Sequence, residues 1–193
     1  MHEKLKQSVC AANLDLVEYG LVVFTWGNVS AIDRTAGVIG IKPSGVSYDE
    51  LVPEQIVLLD LEGSVIEGEL RPSSDTPTHL ELYRSFEGLG GICHTHSAHA
   101  TMWAQAQCDI PCLGTTHADH FYGSVPVTTP MKPEEIERDY EANTGRVIVR
   151  RFADLDPLQM PAVLVANHGP FTWGDTAASA ITAKLRGELL WVK

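Results

Sequence analysis

The stretch GGICHTHS, residues 90–97, places the tightest constraint on how this chain can fold. Its two histidines are two positions apart, and in a β-strand such residues project from the same face of the sheet. The paired glycines let a strand begin at a turn, and Ser97 is typical of a helix N-cap. We therefore predict that His94 and His96 lie side by side where a strand passes into a helix, a common place for ligand sites in α/β sheets.

The rest of the chain alternates between apolar runs and helical patterns, without repeats or an evident linker, so residues 1–193 are predicted to form a single domain. Helices are predicted near residues 5–19, 77–86, 98–106, 133–143 and 177–190, the second with Thr76 as its N-cap. Strands are predicted within residues 21–33, 37–42, 55–61, 64–70, 91–95, 125–128 and 162–165. Hairpins mixed with helices favour an α/β fold in which helices cover a central, largely antiparallel sheet.

Composition excludes several classes of function. The formal net charge of -11 argues against nucleic-acid binding and offers no basic patch for a membrane surface. No apolar run approaches the roughly 20 residues that cross a bilayer, and the N-terminus lacks a signal-peptide core, so we expect a cytoplasmic protein. Cys108 and Cys112 have no second cysteine pair, which disfavours a structural zinc knuckle.

Four residues are candidates for one metal site. His168 follows an apolar strand and precedes Gly169, and Asp75 lies just before a predicted helix. Together with His94 and His96 they would supply three nitrogen ligands and one oxygen, a set that suits zinc and also accepts manganese or cobalt. Taken singly, His168 is better explained as a turn histidine that hydrogen-bonds locally, and Asp75 as a helix-capping carboxylate; the metal site is favoured because all four residues lie where a strand or helix begins or ends.

Three polar turns are candidates for binding a phosphate or another small anion. One precedes a helix, whose first amides and dipole favour an anion, another carries a lysine, and the third interrupts an apolar strand. The same residues could also form ordinary solvent-facing turns. These candidates are Gly27, Asn28, Lys42, Ser44, Gly45, Ser73 and Ser74.

The segment GTTHADHFYG, residues 114–123, carries one further candidate. Asp119 lies among histidines and a tyrosine, so it could act as a general acid or base, or belong to a hydrated loop. Trp26 and the other tryptophans are predicted to lie in the core or at an interface. Dinucleotide, nucleotide and serine-hydrolase motifs are absent from the sequence.

Six motifs, read in order, resemble the L-ribulose-5-phosphate 4-epimerases of the class II aldolase and adducin-head superfamily. They are TWGNVSA at 25–31, IKPSGV at 41–46, PSSDTPTH at 72–79, HTHSAHATMWAQA at 94–106, GTTHADHFYG at 114–123 and NHGPFTWG at 167–174. The resemblance implies a three-layer α/β/α domain, a homotetramer with active sites at subunit boundaries, and a ketopentose phosphate as substrate. It also implies zinc on Asp75 and the three histidines, phosphate and substrate at the seven turn residues, and Asp119 as an acid/base residue.

The chemistry implied by this resemblance is inversion at C4 of L-ribulose 5-phosphate, giving D-xylulose 5-phosphate. The hydrogen on C4 is not adjacent to the C2 carbonyl, so direct deprotonation is difficult. A retro-aldol cleavage of the C3–C4 bond, rotation of the aldehyde and re-addition avoids that difficulty, with the metal as Lewis acid. Two proton carriers are then needed, one on each face of the aldehyde.

Two alternatives remain open within the superfamily. A fuculose-phosphate-like aldolase would stop after cleavage, but such enzymes usually carry glutamate where this chain has Asp75. A non-catalytic scaffold like the adducin head would not need the histidine trio. The epimerases also continue into a tail whose tyrosine serves as the second acid/base, whereas this sequence stops at residue 193, so we expect metal binding but slow turnover from these 193 residues.

Overall fold

The structure, a computed structural model, describes the backbone of residues 2–190 and the side chains of residues 2–183. The helices are α1 Glu3–Glu18, α2 Thr76–Ser85, α3 Ala98–Gln105, α4 Thr115–Ala118, α5 Pro133–Glu137, α6 Tyr140–Arg151 and α7 Ala177–Leu190. The strands are β1 Gly27–Asp33, β2 Val38–Ile41, β3 Val57–Asp60, β4 Val65–Glu67, β5 Gly91–Thr95, β6 Ala162–Leu164 and β7 Pro170–Gly174. Residues 191–193 lie outside the described part.

The strands form one seven-stranded sheet in the order β4-β3-β2-β1-β5-β7-β6, and every neighbouring pair is antiparallel. The histidine-bearing strand β5 therefore lies inside the sheet, between β1 and β7. Asn28 of β1 pairs with His94 of β5, and His94 pairs with Phe171 of β7. Residues directly opposite each other in a ladder project from the same face, so these three side chains form one row.

Helices cover both faces of the sheet, as alternation along β5 shows. Ile92 belongs to a buried cluster that includes Leu80 of α2, Ala100 of α3 and Ile148 of α6. Cys93, the next residue, belongs to a separate buried cluster with side chains of α1 and α7. Because consecutive strand residues point to opposite faces, the two clusters lie on opposite sides of the sheet. The predicted α/β fold with a central antiparallel sheet is confirmed.

The start of α6 is held against α2 by close packing. Thr78 Oγ1 donates a hydrogen bond of 2.6 Å to the Glu141 carbonyl oxygen. A Cβ atom at Gly145 would lie 2.6 Å from the Glu81 Cβ, so only glycine allows the two helices to approach this closely. The first residue of α6, Tyr140, is thereby fixed near the first turn of α2.

Several predicted elements differ in the structure. The first β-rich run forms a strand only from Gly27 onward, because residues 21–26 make a turn in which Phe24 has a positive φ of 54°. In the described chain, residues 125–128 form no strand, only isolated bridges through Val125 and Val127. The helix predicted at 133–143 is two helices separated at Asp139, whose φ is 53°.

Two further differences concern the ends of elements. Strand β7, Pro170–Gly174, was not predicted, because its sequence follows a His-Gly-Pro turn and contains both proline and glycine. Helix α2 begins one residue earlier than predicted, with Asp75 at the N-cap and Thr76 inside the helix. Among the helices that the structure describes, none is long and apolar enough to cross a membrane.

Candidate active site

Three imidazoles converge at the end of β5. The Nε2 atom of His96 lies 3.0 Å from Nε2 of His94 and 3.1 Å from Nε2 of His168. His94 is buried, and the other two rings are partly buried. Their ligand atoms all lie within 4.8 Å of one another, and in the described part of the chain no other set of three or more histidine, cysteine or carboxylate side chains forms a candidate metal site.

Local sequence explains how the three rings meet. His94 and His96 lie on one face because they are two apart at the end of β5, as predicted from the HTH spacing. His168 reaches them from the turn between β6 and β7, in which Asn167 has a φ of 64° and Val165 N donates to Gly169 O at 2.9 Å. A Cβ atom on Gly169 would lie 3.0 Å from the Thr95 carbonyl oxygen, so glycine lets this turn approach the end of β5.

Hydrogen bonds on the far side of two rings orient them. His94 Nδ1 lies 2.9 Å from the Pro170 carbonyl oxygen, which can only accept, so Nδ1 carries the proton and Nε2 is left with its lone pair. The His94 ring also stacks on Phe171, with centroids 4.1 Å apart. His168 Nδ1 lies 3.1 Å from the Tyr140 hydroxyl. In two of the three rings, those of His94 and His168, the Nδ1 atom is thus hydrogen-bonded to an oxygen atom, while Nε2 faces the other histidines.

Burial keeps the imidazoles of His94 and His168 neutral. The pKa of His168 is lowered to about 4, mainly by burial and then by the nearby His96, against a raising effect of Asp75. The pKa of His94 lies well below its usual value, because the ring is buried and faces His168 and His96. Neutral imidazole is the form that binds metals. The centre is therefore ready for a cation near neutral pH.

The arrangement fits a divalent metal ion. Zinc binds imidazole nitrogen at about 2.0–2.1 Å, so two nitrogens on one ion lie no more than about 4.2 Å apart. Both measured Nε2 separations satisfy this limit. Neutral rings, converging Nε2 atoms and Nδ1 atoms already paired with oxygen together form a centre that can hold such an ion.

Asp75 lies beside the histidines but is not part of their close group. Although it is the N-cap residue of α2, its carboxylate makes no capping hydrogen bond among the residues that the structure describes. Its Oδ2 instead accepts a hydrogen bond of 2.6 Å from Asn28 Nδ2. Asn28 Oδ1 is buried and has no hydrogen-bond partner within the described chain. A donor on a bound ligand or water would satisfy this acceptor.

The predicted anion-binding turns come together opposite the histidines. Ser44 N donates to Arg71 O at 2.8 Å and Ser73 N donates to Lys42 O at 3.1 Å, so two turns far apart in sequence lie side by side. Lys42 is buried, and its ammonium donates to the Val46 carbonyl at 2.5 Å and the Pro43 carbonyl at 3.3 Å. Burial lowers the pKa of Lys42.

One cavity of about 270 Å³ joins the histidines to these turns. All eleven predicted metal and substrate residues line it: Gly27, Asn28, Lys42, Ser44, Gly45, Ser73, Ser74, Asp75, His94, His96 and His168. Asp119 does not line this cavity in the described chain; it is an exposed residue at the C-cap of α4. A single chain therefore brings together the predicted metal and anion sites but leaves Asp119 outside them.

Four residues that line the cavity were not predicted as site residues: Thr25, Trp26, Pro43 and Tyr140. Tyr140 lines it and contacts His168, yet the sequence only places this tyrosine in a helix and gives no sign that the helix starts at the cavity. Trp26, predicted to lie in the core or at an interface, is 55% exposed in this chain and lines the cavity, with its ring 6.2 Å from that of His96. Its place directly before Gly27 was the available signal.

Fold and site thus define an α/β/α domain with a three-histidine centre at the end of β5, an interior strand of its antiparallel sheet. The chain belongs to the class II aldolase and adducin N-terminal domain family, whose model matches residues 7–186.

Solved structures agree with this assignment. An L-fuculose 1-phosphate aldolase is 27% identical, with 99% of this chain and 84% of that chain covered and a TM-score of 0.83. The L-fuculose-1-phosphate aldolase of Thermus thermophilus is 26% identical over 98% of this chain and 90% of its own, with a TM-score of 0.70. A sugar-phosphate aldolase from Thermotoga maritima, 21% identical over 98% of this chain and 94% of its own, shares the fold with a TM-score of 0.68.

Proposed function

We propose that this protein is a metal-dependent sugar-phosphate enzyme that breaks and re-forms a carbon–carbon bond, and specifically an L-ribulose-5-phosphate 4-epimerase. The observation that carries the proposal is the single cavity in which three converging imidazoles face the two polar turns. A ketopentose phosphate has the matching two ends, vicinal oxygens for a cation and a phosphate for hydrogen-bond donors. The epimerase assignment itself depends on the six sequence motifs and on the aspartate at position 75.

The three imidazoles would hold the ion, proposed to be zinc, with manganese or cobalt as substitutes. When bound, the ion would stabilise the negative charge that develops on sugar oxygens as the C3–C4 bond breaks, a contribution of several kcal/mol. We propose Asp75 as a further oxygen ligand. Its hydrogen bond from Asn28 holds the carboxylate on the cavity side of α2.

The turn residues would hold the phosphate. An ammonium group has three N–H donors, and the two carbonyl contacts of Lys42 leave one for a ligand oxygen. The hydroxyls of Ser44, Ser73 and Ser74 supply further donors on the same wall. In a retro-aldol epimerisation this grip prevents escape of the cleaved aldehyde, which must rotate and present its other face before the bond re-forms.

Asp119 is proposed as an acid/base residue that acts from a neighbouring subunit. In one chain it is exposed and outside the cavity, so it can meet the substrate only if another copy presents it. This requirement is consistent with the proposed homotetramer with sites at subunit boundaries, where the exposed segment 114–123 would face a neighbour's cavity.

The decisive assay uses L-ribulose 5-phosphate, with D-xylulose 5-phosphate as the monitored product. Activity should disappear after chelation and return on addition of Zn²⁺, Mn²⁺ or Co²⁺. Release of free glycolaldehyde phosphate should be slower than epimerisation, because the phosphate grip retains the fragment. A metal-loaded protein that leaves L-ribulose 5-phosphate unchanged would contradict the epimerase assignment.

The second candidate is a fuculose-phosphate-type aldolase, favoured by the two L-fuculose-phosphate aldolase structures that are 26–27% identical to this chain. Its reaction with L-fuculose 1-phosphate would release lactaldehyde and dihydroxyacetone phosphate. The two functions are separated by measuring both substrates with the same metal-loaded sample. An Asp75→Glu variant sharpens the comparison: the epimerase proposal predicts that the longer carboxylate lowers epimerisation, whereas the aldolase alternative predicts retained or increased cleavage.

A further inference from the structure

We infer that Tyr140 is a positioning residue, which holds His168 in the tautomer and orientation that direct its Nε2 lone pair at the metal centre. This inference rests on the proposed metal-dependent function, because it takes His168 to be a metal ligand and assigns Tyr140 the task of orienting it. Tyr140 lies outside all six sequence motifs, and it reaches the cavity only through the packing of α6.

The geometry requires one nitrogen of each ring to carry a proton. A neutral imidazole has a single N–H, and whichever nitrogen keeps it cannot bind a metal. The Tyr140 hydroxyl lies 3.1 Å from His168 Nδ1 and, as a phenol, could donate or accept there; in the inferred arrangement its oxygen accepts from Nδ1–H, which leaves the lone pair of His168 on Nε2, facing His96 Nε2. The Pro170 carbonyl performs the same task for His94. Tyr140 is thus the side-chain counterpart of a backbone acceptor.

The position of the phenol is determined by elements away from the histidines. Helix α6 starts at Tyr140 directly after Asp139, whose left-handed backbone turns the chain. The hydrogen bond from Thr78 to the Glu141 carbonyl ties the first turn of α6 to α2. Because Gly145 allows close contact between these helices, the phenol has a defined place beside His168. Support of this kind typically changes metal affinity by about 10–100-fold when it is removed.

The first test observes His168 directly in the metal-free protein. Long-range ¹H–¹⁵N NMR spectra at neutral pH distinguish the two imidazole tautomers, and the wild-type His168 should be protonated at Nδ1. In Tyr140→Phe, which removes only the hydroxyl, the resonance should shift toward a mixture of the two tautomers. Tyr19→Phe, at the exposed C-cap of α1, is the matched control and should leave the spectrum of His168 unchanged. A wild-type His168 protonated at Nε2 would overturn the inference.

The second test measures metal affinity by competition with a chromogenic chelator. Tyr140→Phe should raise the dissociation constant for Zn²⁺ or Co²⁺ by at least about tenfold, while Tyr19→Phe leaves it unchanged. In a His168→Ala background, the additional Tyr140→Phe change should alter the constant less than about twofold, because the tyrosine acts through that ring. Equal losses in both backgrounds would assign Tyr140 a general structural role and contradict positioning.

These outcomes separate the inference from the proposed function. A wild-type protein that binds metal and epimerises, combined with an unaffected Tyr140→Phe variant, contradicts the role of Tyr140 and leaves the enzyme assignment intact. A confirmed Nδ1–H tautomer in a protein that turns over neither sugar phosphate contradicts the enzyme assignment and supports the positioning role. Circular dichroism melting curves of each variant report whether the fold is retained.

Discussion

The histidine centre and the segment that carries Asp119 differ in burial and in the secondary structure that supports them. His94 is 2% exposed and lies on the interior strand β5, with strand neighbours on both sides and the Pro170 carbonyl oxygen at its Nδ1. Asp119 is an exposed residue at the end of the four-residue helix α4, and nearby Tyr122 is 82% exposed. One chain brings the three histidines together by itself, and the exposure of Asp119 supports the proposal that this residue reaches a substrate from a second copy.

The largest expected effect is the loss of the buried ligand. His94→Ala removes one of the three converging imidazoles, so metal binding should fall below detection in the chelator competition assay. Losing several kcal/mol of charge stabilisation corresponds to a rate decrease of about a thousandfold or more. His2→Ala, at the N-terminal end of α1, is the control and should behave as the wild type. Full activity in His94→Ala would show that the centre is not used.

The next effect tests whether Asp119 works from another subunit. Asp119→Asn should lower the turnover rate by about 10²–10⁴-fold, since general acid–base catalysis contributes that much, with unchanged metal affinity. Mixing unfolded Asp119→Asn and His94→Ala chains and refolding them together should restore activity, because about a quarter of boundary sites would then combine an intact centre with an intact aspartate. Activity that stays absent after mixing would contradict a site that takes its histidines from one subunit and Asp119 from another.

A smaller effect concerns the pH dependence of the unfolding free energy, to which the buried residue His79 contributes. His79 of α2 is fully buried, with Nδ1 2.6 Å from Ser30 Oγ, and burial lowers its pKa to about 4. The unfolded chain, with a histidine pKa near about 6.5, therefore binds the proton more readily. Stability supplied by neutral His79 is complete above about pH 6.5 and is lost as the pH falls toward about 4.

The measurement is urea unfolding of the metal-free protein at pH 7 and pH 5. This single group should reduce the unfolding free energy by roughly 1–2 kcal/mol over that interval. His79→Gln should show a correspondingly smaller decrease between the two pH values, whatever its stability at pH 7. An identical pH dependence in the variant would exclude His79 as its source.

The smallest effect falls on the anion side of the cavity. Ser73→Ala removes one hydroxyl from a wall that has several donors, so it should raise the KM for the sugar phosphate by about threefold to tenfold, as expected for one hydrogen bond. The turnover number should change less, and inorganic phosphate should inhibit the variant more weakly than the wild type. Ser8→Ala, exposed on α1, is the matched control.

The features that could be predicted from the sequence are those that depend on neighbouring residues in the chain. Strand β5 was predicted with the residues Gly91–Thr95 that the structure gives, because glycines mark its start and Ser97 marks the following helix. The three histidines and the polar turns were recognisable by residue type and by place at element ends. Each of these signals is carried by a few consecutive residues.

The missed features depend on contacts between distant residues. Tyr140 reaches the cavity only because Gly145 lets α6 pack closely on α2, a fact that no local pattern encodes. Strand β7 contains proline and glycine, and its pairing with β5 and β6 outweighs its weak strand propensity. Segment 125–128 shows the reverse: its residues favour a strand, but in the described chain they form only isolated bridges.

The place of β5 between β1 and β7 also has a consequence for biosynthesis. Its two neighbours come from residues 27–33 and 170–174, so a ribosome must release nearly the whole domain before the row of Asn28, His94 and Phe171 can assemble. Such long-range pairing makes folding slow compared with helical bundles. The three-histidine centre is therefore not assembled while the chain is being synthesised, and we expect a metal ion to bind only after synthesis is complete.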